Sequence, residues 1–151
     1  MKNVIAKISF KAFFILIIVL SSTNTYAKVS VPETVVKALY ARFPDAEDVI
    51  WKMYSSDQFV ASFIFEEEEV HVFMSNDGAF IEINIQLNED NIPESIASQL
   101  NKIKNAAVFY VLDTTDANNF RCYRAKVKVG NQSYELIFDK KQNLISQRLM
   151  K

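Results

Sequence analysis

Apolar positions along this chain follow two periods. Across residues 59–83 the runs FVASFIF, VHVFM and AFIEI are separated by Glu66-Glu67-Glu68-Glu69 and by Ser75-Asn76-Asp77-Gly78. Side chains alternate between the two sides of a strand, so short alternating runs broken by polar turns predict a three-stranded antiparallel meander. The layout returns across residues 123–145, where YRAKVKV, YELIF and NLI are separated by GNQS and DKKQ.

Ahead of each meander the spacing becomes helical. Val31, Val35, Ala38, Leu39 and Phe43 recur at threes and fours and make one stripe. Pro32 suits the first turn, Glu33 the positive N-terminal end and Arg42 the C-terminal end, and Pro44 stops the helix. Ile92-Pro93-Glu94-Ser95-Ile96 repeats Val31-Pro32-Glu33-Thr34-Val35, and Ile92, Ile96, Leu100 and Ile103 make the second stripe. Residues 49–54 and 108–112 read as the strands between helix and meander, with Asp45-Ala46-Glu47-Asp48 a turn and residues 113–119 a longer loop. The expected fold is α+β, built as tandem helix-plus-four-stranded antiparallel units at residues 28–86 and 87–151. Together these form one compact domain.

Composition adds the compartment. Lys2, Lys7 and Lys11 precede an apolar run at residues 12–20, then polar residues and Thr25-Tyr26-Ala27. This is the pattern of a signal peptide, and the run is too short to span a bilayer as a helix. The sequence therefore predicts cleavage near Ala27 and release into the periplasm or outside the cell, with no stable membrane span. Removing those three lysines from the 17 basic residues leaves 14 against 18 acidic ones, a net −4. No basic excess points to nucleic acid. Cys122 is the only cysteine, so no internal disulfide forms and stability rests on a packed core. Its place at the start of a strand reads as half-buried.

The chemistry of catalysis is sparse. His71 is the only histidine and has no second His, Cys or clustered Asp at ligand spacing. The acidic tetrad lacks Asp-x-Asp spacing and a glycine, so it reads as a solvated hairpin tip and not a calcium loop. No nucleophile elbow or phosphate loop is present. No catalytic residue, metal site or cofactor is expected.

The sheet faces carry more. Tyr123, Ala125, Val127 and Val129 form a clean apolar set, and their equivalents are Phe59, Ala61, Phe63 and Phe65, so these should face the helices. The opposite face then carries Arg124, Lys126 and Lys128 in one unit, and Val60, Ser62 and Ile64 in the other. Tyr54, His71, Phe73 and Phe80 fall on that face too. An open face should be polar, and apolar groups exposed together mark interaction sites. Tyr54, Ile64, His71, Phe73, Phe80, Arg124, Lys126 and Lys128 are thus the expected partner-binding face. A second reading packs Val60, Ile64, Phe73 and Phe80 against a loop, a terminus or the other unit, and one residue of register slip would invert the assignment.

The elements Val31-Pro32-x-x-Val35, Phe43-Pro44-x-Ala46, Val49-x-Trp51 and Asp77-Gly78-x-Phe80 resemble those of exported PepSY-like, beta-lactamase-inhibitor-like proteins of Bacteroidetes-type bacteria. The second unit keeps Ile92-Pro93 but lacks the Phe-Pro, Trp and Asp-Gly elements. The resemblance implies a fold like that of the beta-lactamase inhibitory protein, whose concave sheet surface grips another protein. Residues and resemblance together lead to a non-enzymatic binding or inhibitory module for an unidentified protein or peptide of the cell envelope. The alternative is a small-ligand or lipid carrier, since twelve Phe could line a cavity.

Overall fold

The computed structural model describes residues 29–150. The expected signal peptide, residues 1–27, lies outside them.

Helix α1 (Glu33–Arg42) leads into strands β1 (Ile50–Ser55), β2 (Gln58–Phe65), β3 (Glu68–Ser75) and β4 (Phe80–Gln86). A short 3-10 turn (Glu89–Asn91) and helix α2 (Glu94–Asn101) follow. Then come β5 (Ala106–Asp116), β6 (Arg121–Val129), β7 (Gln132–Asp139) and β8 (Leu144–Met150). All eight strands join one antiparallel sheet in sequence order, because β4 pairs with β5. Both prolines act as helix caps: the Pro32 carbonyl accepts from Val35 and Val36, and the Pro93 carbonyl from Ile96 and Ala97.

Both helices cover the same side of the sheet. Val35 and Leu39 of α1 are buried with Phe59, Ala61, Phe63, Val70, Val72, Met74 and Ile83. Phe43 closes this cluster edge-on to Phe63 and Phe65, at ring-centroid distances of 5.3 and 6.0 Å. Ile96 and Leu100 of α2 are buried with Val111, Tyr123, Ala125, Val127, Leu136 and Phe138. The apolar alternation sets therefore face the helices as expected, and the residues between them form an open face.

Three expectations need correction. The loop expected at 113–119 is mostly strand: Asp113, Thr114 and Thr115 pair with both β4 and β6, and the loop shrinks to residues 117–120. Pairing with a strand on each side holds Asp113-Thr114-Thr115-Asp116 extended despite the low strand preference of Asp. The acidic tetrad is not simply a hairpin tip. Glu66 and Glu67 form the turn, Glu69 lies in β3, and Glu68 Oε1 accepts from Asn91 Nδ2 at 2.6 Å, tying the linker down. Cys122 is buried, not half-buried.

Few glycines are needed because the loops use other residues. Three hairpins share a loop whose third residue is left-handed: Gly78, Asn119 and Gln142. In each, that residue's N–H donates to the carbonyl of Ser75, Asp116 or Asp139 respectively. Side-chain oxygens finish the job: Asp116 Oδ1 accepts from the Asn118 and Phe120 N–H groups, and Asp139 Oδ1 from those of Lys141 and Asn143. The backbone N–H and side-chain bonds of Asn143 hold the Asp139 carboxyl below the ordinary range, and the Ser75 hydroxyl does the same for Asp77.

Candidate functional site

The uncovered face can be read row by row from the strand register. The middle row runs Ile50, Ser62, His71, Asn84, Thr114, Cys122 and Asp139 from β1 to β7. The row on one side runs Lys52, Val60, Phe73, Glu82 and Asp116. On the other side lie Ile64, Glu69, Gln86, Leu112, Arg124 and Ile137, and beyond these Tyr110, Lys126, Glu135 and Arg148.

At the β1–β3 end the face sets large apolar side chains around Lys52, Ser62 and His71. Tyr54 and Ile64 are 67% and 63% exposed, and the Tyr54 ring stands perpendicular to Phe73 with centroids 5.1 Å apart. Val60 is buried beneath its neighbours. A shallow cleft of about 500 Å³ opens beside them, lined in part by Ile50, Ser62, Ile64 and Glu69.

At the centre the face is polar and hydrogen-bonded, except that Arg124 Nε is buried without a partner. Thr114 Oγ1 donates to Asn84 Oδ1 at 2.6 Å, and Asn84 Nδ2 donates to Glu82 Oε1 at 2.8 Å. Arg124 reaches from β6 past β5 to Glu82 on β4, its Nη2 3.1 Å from Oε2. That arch explains why Thr114 and Asn84 are only 1% and 6% exposed on a face no helix covers. Burial also pushes the Cys122 thiol upward, so it stays protonated and is a poor nucleophile.

His71 sits between two partners: Ser62 Oγ is 2.8 Å from Nδ1, and Glu69 Oε1 is 3.4 Å from Nε2. A hydroxyl, an imidazole and a carboxylate in contact are the ingredients of a nucleophile relay. Acyl transfer also requires donors aimed at a developing oxyanion. Ser62 lies mid-strand in β2, which is paired on both sides, so its neighbouring backbone donors belong to the ladder. The three groups satisfy one another on the open face.

Seven of the eight expected face residues share this face: Tyr54, Ile64, His71, Phe73, Arg124, Lys126 and Lys128. Phe80 does not. The register shifts between Phe73 and Met74, so Phe80 falls opposite the buried Met74 while Glu82 stays opposite Phe73. Phe80 thus packs on the helix side, with the Arg42 guanidinium 5.0 Å above its ring. Strict alternation from Phe80 through Glu82 to Asn84 missed this bulge. The basic end is also less basic than its sequence. Arg124 is engaged by Glu82, and Glu135 beside Lys126 takes Arg148 at 2.8 Å. Lys126 lies 5.5 Å over the exposed Phe109 ring. No local pattern signals Glu82–Arg124 or Thr114–Asn84, whose partners are 42 and 30 residues apart. Phe109 was hidden for another reason: the shift between Val108 and Tyr110 makes it an extra residue in β5.

Solved structures share this architecture. The fold is that of BLIP-like proteins from Bacteroides. A BLIP-like protein from Bacteroides fragilis superposes with a TM-score of 0.70 at 17% identity, over 81% of this chain and 88% of that one. A DUF2874 family protein from Bacteroides uniformis gives 0.70 at 18% identity, over 80% and 90%. A Bacteroides eggerthii protein provisionally described as periplasmic gives 0.70 at 17%, over 80% and 90%. No family model matches the chain, and no curated protein matches it. The solved structures agree with the BLIP-like part of the resemblance, while its PepSY-like part rests on the motifs at residues 31–80. Among the described residues, no helix is long and apolar enough to cross a membrane, and no group of three or more His, Cys, Asp or Glu is placed to hold a metal.

Proposed function

We propose that this chain is an exported, non-enzymatic binding or inhibitory module that holds a protein or peptide of the cell envelope on its open sheet face. The observation that carries the reading is a set of exposed apolar side chains on the face neither helix covers: Tyr54 edge-on to Phe73, and Ile64 across the Ser62–His71 row, with Ile50 at that row's β1 end. Large apolar groups exposed together on a sheet are the usual anchors of a protein interface. Lys126 and Lys128 at the other end favour a partner with carboxylates on one flank. The leader-like N-terminus and the provisionally periplasmic structural neighbour support action in the periplasm or outside the cell. In the same reading, residues 28–86 and 87–151 are two copies of one PepSY-like unit sharing a sheet.

The test is affinity capture of the tagged, exported chain from its own cell envelope, alongside a Tyr54→Ser, Ile64→Ser double variant. Both side chains are exposed, so the variant should melt like the wild type while losing the captured partner. A partner retained at full yield by the variant would remove this face from the binding site.

One observation favours a carrier as the second reading. On the helix side, between α1 and the uncovered middle of the sheet, a cleft of about 410 Å³ is lined by Phe43, Phe65, Ile83 and Ile85, with Arg42 and Arg121 at its rim. A bound small molecule or lipid would appear as added mass in native mass spectrometry of the purified chain. Loss of that mass in Ile85→Lys would assign it to the cleft.

A further inference from the structure

The two edges of the sheet differ. Among the described residues β1 and β8 each have one neighbour, so each presents backbone groups left unpaired by the sheet. β1 is guarded, because Lys52 stands mid-strand. β8 lacks a lysine, and its Ile145 and Leu149 are 55% and 56% exposed. Arg148 is drawn back over its own sheet by Glu135, 2.8 Å away.

β8 is also self-complementary. In an antiparallel pairing centred on Gln147, Ile145 of one copy meets Leu149 of the other, and Ser146 meets Arg148, twice over. Leu149 lies opposite Tyr134 on the helix side of the sheet. Ile145 is the extra residue at the register shift beside Leu144, which lies opposite Phe138 on that same side. The two Ile145–Leu149 pairs therefore flank a Gln147–Gln147 pair on the helix side, while the Ser146–Arg148 pairs lie on the open side, so like side chains meet across the axis. The matching arrangement about the middle of β1 would set Lys52 against its own copy, an unfavourable pair.

We propose that a second copy of this chain pairs along β8 about Gln147, through a two-fold axis normal to the sheet. Two eight-stranded sheets become one continuous sheet. Both open faces then lie on the same side, so the dimer presents two binding faces in one plane. The contact is short, and self-association belongs in the micromolar range typical of small interfaces.

The test is light scattering of the purified, exported chain across a concentration series reaching high micromolar. The wild type should move from monomer to dimer. Gln147→Lys and Gln147→Glu each oppose like charges across the axis and should each remain monomeric, while their mixture regains a dimer. Gln147→Cys should cross-link to its own copy on oxidation, whereas Asn143→Cys, in the loop before β8, should not. The cysteine pair reads the same axis should either charged variant fold poorly. A wild type monomeric throughout, a dimer indifferent to both charges, or a mixture that stays monomeric overturns the proposal.

Discussion

Gly78 holds φ at +91°, and a Cβ built on it would fall 3.0 Å from the Thr34 carbonyl oxygen in α1. Two separate demands meet at that residue: a left-handed turn, and room for the helix to approach the β3–β4 loop. Gly130 meets only the first, with φ +59° and nothing within 4 Å. Comparing the two isolates the close approach. Gly130→Ala should cost about 1 kcal/mol, the usual penalty of a left-handed L-residue. Gly78→Ala should cost more, about 2 kcal/mol or above, because backbone and not a flexible side chain must give way. Urea unfolding of the two variants measures both. At this scale the sequence was readable where a residue type has one use: Asn-Asp-Gly marked a turn. That Gly78 also touches a helix more than forty residues earlier was not written in any local pattern.

Hairpins show a compromise at the scale of elements. The β2–β3 turn has two residues, Glu66 and Glu67, with φ at +50° and +68°. A two-residue hairpin favours this mirror-image turn because its twist matches that of the strands, and Asn-Gly satisfies it best. Here two glutamates occupy strained positions and repel each other. Glu66→Asn with Glu67→Gly should therefore stabilise the fold by about 1 kcal/mol, read as a rise in melting temperature. Glu68 must stay, since its carboxylate holds Asn91 of the linker. The bulges at Ile81 and Phe109 belong to this scale too. Each adds one residue to a strand and changes where a large side chain lies: Phe80 packs on the helix side, and Phe109 stands exposed beneath Lys126. Periodicity finds strands but assumes the period never slips, so it had no means of seeing either.

Across the whole molecule, two buried clusters are joined through one strand pair. The α1 cluster and the α2 cluster meet where β4 pairs with β5, from Glu82↔Asp116 to Gln86↔Leu112. The Arg124–Glu82 pair spans that seam on the open face. This continuity predicts one cooperative unfolding transition. Trp51, the only tryptophan, packs against the α1 cluster. Leu100→Ala, in the α2 cluster, should cost about 2–5 kcal/mol and shift the Trp51 fluorescence transition together with far-UV circular dichroism. A Trp51 transition left in place would mean that the halves unfold independently.

The sequence by itself determined both helices, their buried stripes and the strands apart from the far end of β5, because burial of a strand or helix face imposes periods of two and 3.6 on apolar residues. It also placed Tyr54, Ile64, His71, Phe73, Arg124, Lys126 and Lys128 on one face. Tertiary structure decided the rest. Pairing of β4 with β5 made one sheet, and register shifts moved Phe80 and revealed Phe109. Glu82 met Arg124 only because antiparallel pairing brought β4 and β6 to either side of β5. Hydrogen bonds and ion pairs across strands leave no local trace, since they depend on which distant residues the register sets opposite each other.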